Sequence, residues 1–250
     1  MASHRTHRVP AYLLGLAWLC GCGTEPLPEP GLQQACQARF PDACLGWVYA
    51  GEQVPVRVQG SGLLQTLDVD LGGDSVTFDE AFELELGGVA LRRVELVPGS
   101  RPQAGTLFAV IPPTLPVGRH ALWVRTPVGL EAELPEAFEV RDPLRVRASL
   151  DRSLLAPGER ALLSVHVDQL GLGSLESLAL TLEATGTGAL GLPPAPPAFA
   201  LGPQAARTLV LPIEGLAPGE FQLSLRVAGR TAEDVAVAAD LPRPLSLEIR

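Results

Sequence analysis

The run Gly186-Thr-Gly-Ala-Leu-Gly191 has the G-x-G-x-x-G spacing of a phosphate-cradling loop. For that use a helix must start inside the loop, so that its first N–H groups face the pyrophosphate. Here Leu192-Pro193-Pro194 follows at once, and consecutive prolines forbid the helix. The run is expected to be a turn, with no nucleotide bound. Asp68, Asp70 and Asp74 offer oxygens to a hard cation, but calcium takes about six to eight ligands. In a strand Asp68 and Asp70 share one face, and that face reads as solvated. Glu83, Glu85, Glu131, Glu133 and Glu136 read the same way. His120 and His166 lie far apart in sequence, and neither has a nucleophile or an orienting acid in a suggestive neighbourhood. There is no G-x-S-x-G. No catalytic, cofactor-binding or metal-binding residue is expected.

The segments that would carry these residues are strands. Val54-Pro-Val-Arg-Val58, Leu67-Asp-Val-Asp-Leu71, Phe82-Glu-Leu-Glu-Leu86 and Leu91 to Val97 alternate apolar and polar positions, with Gly or Pro between them. Leu107 to Ile111, His120 to Arg125 and Ala137 to Val140 complete a first half. Asp142-Pro143 reads as a joint. Beyond it come Leu144 to Leu150, Ala161 to Val167, Leu178 to Leu182, a proline-rich loop from Gly191 to Pro197, Thr208 to Ile213, Gly219 to Val227 and Asp234 to Ala238. The aromatics Trp47, Trp123, Phe108, Phe138 and Phe221 sit among apolar strand residues and are expected in the core. No stretch keeps a capped 3.6-residue period. The pattern predicts an all-β fold, a sandwich or a barrel in each of two halves, at 45–141 and 142–250. The chain carries 26 Gly and 24 Pro in 250 residues, which suits many turns, and its 46% hydrophobic content excludes general disorder. Its net charge of -9 argues against a nucleic-acid partner, which would require basic stripes.

The N-terminus reads as an address. Arg5 and Arg8 precede the short apolar run Ala11 to Leu19, the pattern of a secretory signal at 1–21, too short to span a bilayer. Leu19-Cys20-Gly21-Cys22 resembles the bacterial lipobox. That resemblance implies cleavage before Cys22 and acylation of its thiol, and Gly23 after it favours the outer membrane. Two or three acyl chains, at ~0.8 kcal/mol per buried CH₂, would anchor the protein without a transmembrane helix. The stretch 22–44 then holds the lipidated cysteine, the spacer Thr24-Glu-Pro-Leu-Pro-Glu-Pro30 and a small loop between Cys36 and Cys44. With Cys20 removed and Cys22 acylated, Cys36 and Cys44 are the remaining pair, and in an oxidising compartment they are expected to form a disulfide. A metal site there would need further ligands, and no His is close in sequence.

Val56-Arg-Val-Gln-Gly-Ser-Gly62, Val69 to Gly73, Ala109-Val-Ile-Pro-Pro113, Leu115-Pro-Val-Gly118 and the strands from His120 to Val140 resemble a TIG (IPT) domain, over about 45–141. Leu63-Leu64 stand where that family commonly has an aromatic. Ala156-Pro-Gly-Glu159 between strands and Leu216-Ala-Pro-Gly-Glu-Phe-Gln-Leu223 resemble adhesion-type domains of the CARDB group. These resemblances imply two tandem immunoglobulin-like β-sandwiches, in an envelope lipoprotein acting as a non-catalytic binding, adhesion or assembly module. Its contacts would be the membrane, through the lipid alone, and a protein or glycan partner. TIG-like domains also stand beside polysaccharide-acting modules, so a carbohydrate-binding accessory protein is the alternative. Mass spectrometry of the mature N-terminus tests the address: the first residue should be Cys22 carrying diacylglycerol, and an unmodified Cys22 would refute it.

Overall fold

The computed structural model describes residues 7–10, 29–40, 43–63, 66–69, 76–79, 81–100 and 104–250. Every regular element among the described residues is a strand. The chain divides into two compact units. Met1–Val48, Gln53–Pro112 and Gly118–Val140 make the first, while Tyr49–Glu52, Pro113–Val117 and Arg141–Arg250 make the second.

The first unit carries β1 (His7–Pro10), β2 (Gly31–Gln37), β3 (Trp47–Tyr49), β4 (Val54–Ser61), β5 (Thr66–Val69), β6 (Val76–Asp79), β7 (Glu83–Leu86), β8 (Val89–Ala90), β9 (Arg92–Leu96), β10 (Gly105–Ile111), β11 (Gly118–Arg125) and β12 (Glu131–Arg141). One sheet runs β2-β4-β10-β9 and another β3-β12-β11-β7-β8. This is the strand order of an immunoglobulin-like sandwich. A third sheet, β1-β5-β6, adds a hairpin between β4 and β7.

Alternation builds the core. Val54, Val56 and Val58 point inward from β4, and Leu107, Ala109 and Ile111 from β10; each is at most 1% exposed. Leu84, Leu86, Leu122, Val124 and Phe138 close the core from the other sheet. Burial of a side chain such as these contributes about 1.5–3 kcal/mol. Leu63 is 1% exposed and belongs to the core.

The second unit carries β13 (Leu144–Leu150), β14 (Leu154–Leu155), β15 (Arg160–Gln169), β16 (Leu175–Gly186), β17 (Ala189–Gly191), β18 (Phe199–Leu201), β19 (Ala206–Ala217), β20 (Gly219–Thr231), β21 (Ala236–Asp240) and β22 (Leu245–Ile249). Its sheets run β13-β15-β19-β17 and β14-β22-β20-β16-β18, with β21 beside β20. β14 lies parallel to β22. Ala161, Leu163, Val165 and Val167 of β15 and Ile213 beside them in β19 are buried, as are Leu223, Val227 and Leu247 of the other sheet. Residues 192–198 are irregular, as their prolines require.

Gly31–Gln37 differs from its expected place in a spacer and loop, because it is a strand. It lies at a sheet edge beside β4, so little of it alternates, and Cys36 leads from it into the disulfide. The Cys36–Cys44 bond is formed, with Cα atoms 4.8 Å apart and eight residues of separation. It ties the end of β2 to the approach of β3. Cys22 lies outside the described residues. So do Asp70 and Asp74, and only the backbone of Asp68 is described, within β5.

Closing so short a loop limits the unfolded chain only modestly, so replacing both Cys36 and Cys44 by Ser should cost about 2.5 kcal/mol in urea unfolding. No change in stability would show that the bond constrains nothing in the unfolded chain.

Candidate functional site

The outer faces of the two sandwiches hold the polar constellations. In the second unit, three strands bring their outward residues into rows. Arg145, Asp168 and Ala206 form one row, and Arg147, His166 and Thr208 the next. The inward neighbours Val146, Val165 and Val167 are buried, which fixes that these side chains face out. His166 Nδ1 lies 2.9 Å from Thr208 Oγ1. On its other side His166 Nε2 lies 2.8 Å from Asp168 Oδ1. Asp168 Oδ2 accepts from Arg145 Nε at 3.0 Å and from an Arg147 guanidinium N–H at 2.9 Å.

Hydroxyl, imidazole and carboxylate therefore stand in line, as in a hydrolase relay. The surroundings also give them structural work. Two guanidinium groups already neutralise the Asp168 carboxylate, so less of its charge is left to stabilise an imidazolium. The hydroxyl lies on a sheet face, where neighbouring N–H groups run in the plane of the sheet instead of converging on a reacting oxygen. The arrangement clasps three strands together. Sequence alone gives His166 an outward direction, and its side chain is 39% exposed. The expectation that His166 has no orienting acid nearby is corrected, because Asp168 lies two residues along the same outward face of β15; Thr208 and Arg147, which meet His166 across strands, are the neighbours that sequence alone misses. Their shared outward parity in β13, β15 and β19 is the signal that finds them.

The Asp168 side chain is only 12% exposed. Burial pushes its carboxyl up; the Arg145 hydrogen bond and the charges of Arg147, His166 and Arg145 outweigh that and hold it below the usual range. Asp142 goes the other way. Burial raises its carboxyl, although the Leu144 and Ala238 N–H groups donate to it at 2.8 and 2.6 Å.

In the first unit, the outward face of β11 carries Trp123 between Glu85 of β7 and Glu133 of β12. Trp123 is half-buried, flanked by the inward-facing Leu122 and Val124. This corrects the expectation of a core position. Alternation with its buried neighbours puts Trp123 on the surface side, and the same holds for Phe108, opposite Arg57 in β4. Trp47 is also half-buried, whereas Phe138 and Phe221 are in the core at 1% and 5% exposure.

The remaining candidates are surface or backbone features. Glu131 and Glu83 each lie within 4 Å of the Arg125 guanidinium, at 3.9 and 3.8 Å, and Glu136 pairs with Arg119 at 2.7 Å. Pairs this exposed contribute about 0–1 kcal/mol. His120 packs over Gly87, where an added Cβ would come within 2.3 Å of the ring. The glycine-rich run is the end of β16, a turn and β17. A Cβ at Gly186 would lie 2.0 Å from the Glu220 carbonyl, and one at Gly188 2.3 Å from that of Pro218. These glycines are there for close backbone approach. Among the described residues no group of three His, Cys, Asp or Glu side chains is placed to hold a metal.

No family model matches the chain, and no curated protein does. Solved structures align with it at low similarity. Salmonella alpha-2-macroglobulin is 14% identical over 88% of this chain, with a TM-score of 0.35. A Bacteroides ovatus glucan-utilisation protein, SGBP-B, solved with a mixed-linkage heptasaccharide, is 15% identical over 82%, with a TM-score of 0.26. The Yersinia pseudotuberculosis adhesin InvE is 14% identical over 84%, with a TM-score of 0.29. The aligned parts are 16%, 44% and 59% of those chains respectively.

The sign of the two aspartate shifts sets a pH test. A depressed Asp168 contributes stability above its unfolded value, near pH ~4, and loses it as pH falls through the lower folded value. The raised Asp142 favours the folded state when protonated, and that contribution disappears as pH rises through its folded value. Asp168→Asn should therefore be less stable than the parent at neutral pH, and the gap should close as the solution is acidified below about pH 4. A gap that is constant with pH would show that Asp168 is not held by these cations.

Proposed function

We propose that this chain is an exported bacterial lipoprotein, anchored through Cys22 at the outer membrane, whose two immunoglobulin-like sandwiches act as a non-catalytic binding, adhesion or assembly module. The first sandwich is of TIG type and the second of CARDB type, on the motifs that carry those resemblances. The observation that carries the binding reading is where the polar chemistry stands. The His166 cluster and the Trp123 row both occupy outward sheet faces, presented to a macromolecule. Cleavage before Cys22 would take β1 away and leave the β5–β6 hairpin.

The body of the protein is acidic, and removing Arg5 and Arg8 with the signal makes it more so. An acidic body is repelled by anionic lipid headgroups, so the lipid is the membrane contact and the faces stay available. Density-gradient fractionation of bacterial membranes tests the anchoring. The chain should sediment with the outer membrane, and Cys22→Ser should leave it unanchored. Equal distribution of the two would remove the anchor from the account.

A second reading has its own observation. Trp123 between Glu85 and Glu133 pairs an apolar ring with hydroxyl-accepting carboxylates, the combination that binds a sugar. Polysaccharide binding that Trp123→Ala abolishes would establish a carbohydrate-binding accessory protein. Absence of binding across a polysaccharide panel would leave the protein-binding reading.

A further inference from the structure

β19 has one open edge, and hydrogen bonds at its two ends determine which backbone groups line it. The Gln169 N–H donates to the Ala205 carbonyl at 2.8 Å, and the Gly215 N–H donates to the Glu159 carbonyl at 2.9 Å. In an antiparallel ladder both polar groups of a residue point to one side, and the side alternates along the strand. The register between β15 and β19 runs unbroken from Asp168↔Ala206 to Arg160↔Glu214. Arg207, Leu209, Leu211 and Ile213 therefore bond to β15, while Ala206, Thr208, Val210 and Pro212 turn their groups away from it. Pro212 agrees with this, since a residue without an N–H can stand opposite Leu162 only where none is needed.

On that far side β17 covers Glu214, Gly215 and Ala217. From 206 to 212 no strand among the described residues lies alongside. The nearby run 192–198 lacks an N–H at Pro193, Pro194, Pro196 and Pro197, and none of its backbone groups bonds to β19. From Ala206 to Val210 three donors and three carbonyls are left without a strand partner, with Val210 56% exposed. Such a row is a template for an added strand, and Pro212 blunts its lower end.

Charge decides what kind of strand. The Arg207 guanidinium stacks over the Phe199 ring, 4.9 Å from its centroid, and no carboxylate among the described residues pairs with it. A second copy of this chain joined edge to edge would set an odd-numbered β19 position opposite Arg207: Ala205, Arg207, Leu209, Leu211 or Ile213. None is acidic, and one is a like charge. We propose that the edge of β19 from Ala206 to Val210 binds an extended segment of a different polypeptide as an added strand, with an Asp or Glu of that segment beside Arg207. This rests on the binding-module reading and names the chemistry of the partner. Main-chain bonds supply affinity, and the carboxylate supplies selectivity.

Amide hydrogen exchange by NMR on the full chain tests it, with the synthetic peptide Thr-Val-Thr-Val-Glu-Val-Thr-Val-Thr as the probe. In the free protein Ala206, Thr208 and Val210 should exchange at least ~100-fold faster than Arg207 and Leu209. The peptide should slow those three amides. Replacing its Glu by Lys, or Arg207→Glu in the protein, should weaken binding about tenfold, and combining the two should restore it. Equally slow amides in the free protein, or no slowing with the peptide, would overturn the proposal. So would protection that grows with protein concentration alone, which would assign the edge to a second copy. An unmodified Cys22 or Trp123-dependent glycan binding would strike the broader reading and leave these exchange rates as they are, so the two failures are separable.

Discussion

A strand gives alternate side chains to opposite faces, and β15 keeps that alternation without a slip from Arg160 to Val167. Ala161, Leu163, Val165 and Val167 go inward and are essentially unexposed, while Arg160, Leu162, Ser164 and His166 go outward. A shift of one residue would move the whole apolar set into water. Both cores, and the placement of every surface group discussed above, follow from this constraint being met on neighbouring strands together.

The same constraint shapes the chemistry. A sandwich core is filled by apolar side chains, so polar groups gather on the outer faces, where cross-strand neighbours lie within hydrogen-bonding reach. His166 acquires a hydroxyl and a carboxylate in this way, and the two arginines turn that carboxylate into a structural clasp. Trp123 is placed between two glutamates by the same geometry. The open backbone of β19 is its edge counterpart: a strand that bonds fully on one side must offer every second residue to the other.

Long, alternating segments were legible in the sequence. Leu144–Leu150 is a strand with the bounds its pattern predicts, and Val54 to Val58 lies within β4. The short strands β14, β17 and β18 were not, because two or three residues carry no period and owe their conformation to partners far along the chain. β2 hid for a similar reason: Gln33 and Gln34 interrupt its apolar pattern at a sheet edge. The outward position of Trp123 was readable from Leu122 and Val124 on either side. Asp168, two residues on along the same face, was readable as a neighbour of His166, but Thr208 was not, since the pairing of β15 with β19 joins residues more than forty apart.

Leu162 and Leu163 allow the most direct test of this account. They are adjacent and chemically identical, yet Leu162 is 45% exposed and Leu163 is 1% exposed. Urea unfolding of Leu162→Asp and Leu163→Asp should separate them sharply. The first should stay within about 1 kcal/mol of the parent, whereas the second buries an unpaired charge and should lose several kcal/mol or fail to fold. Equal losses from the two substitutions would contradict the alternation on which the whole structure is built.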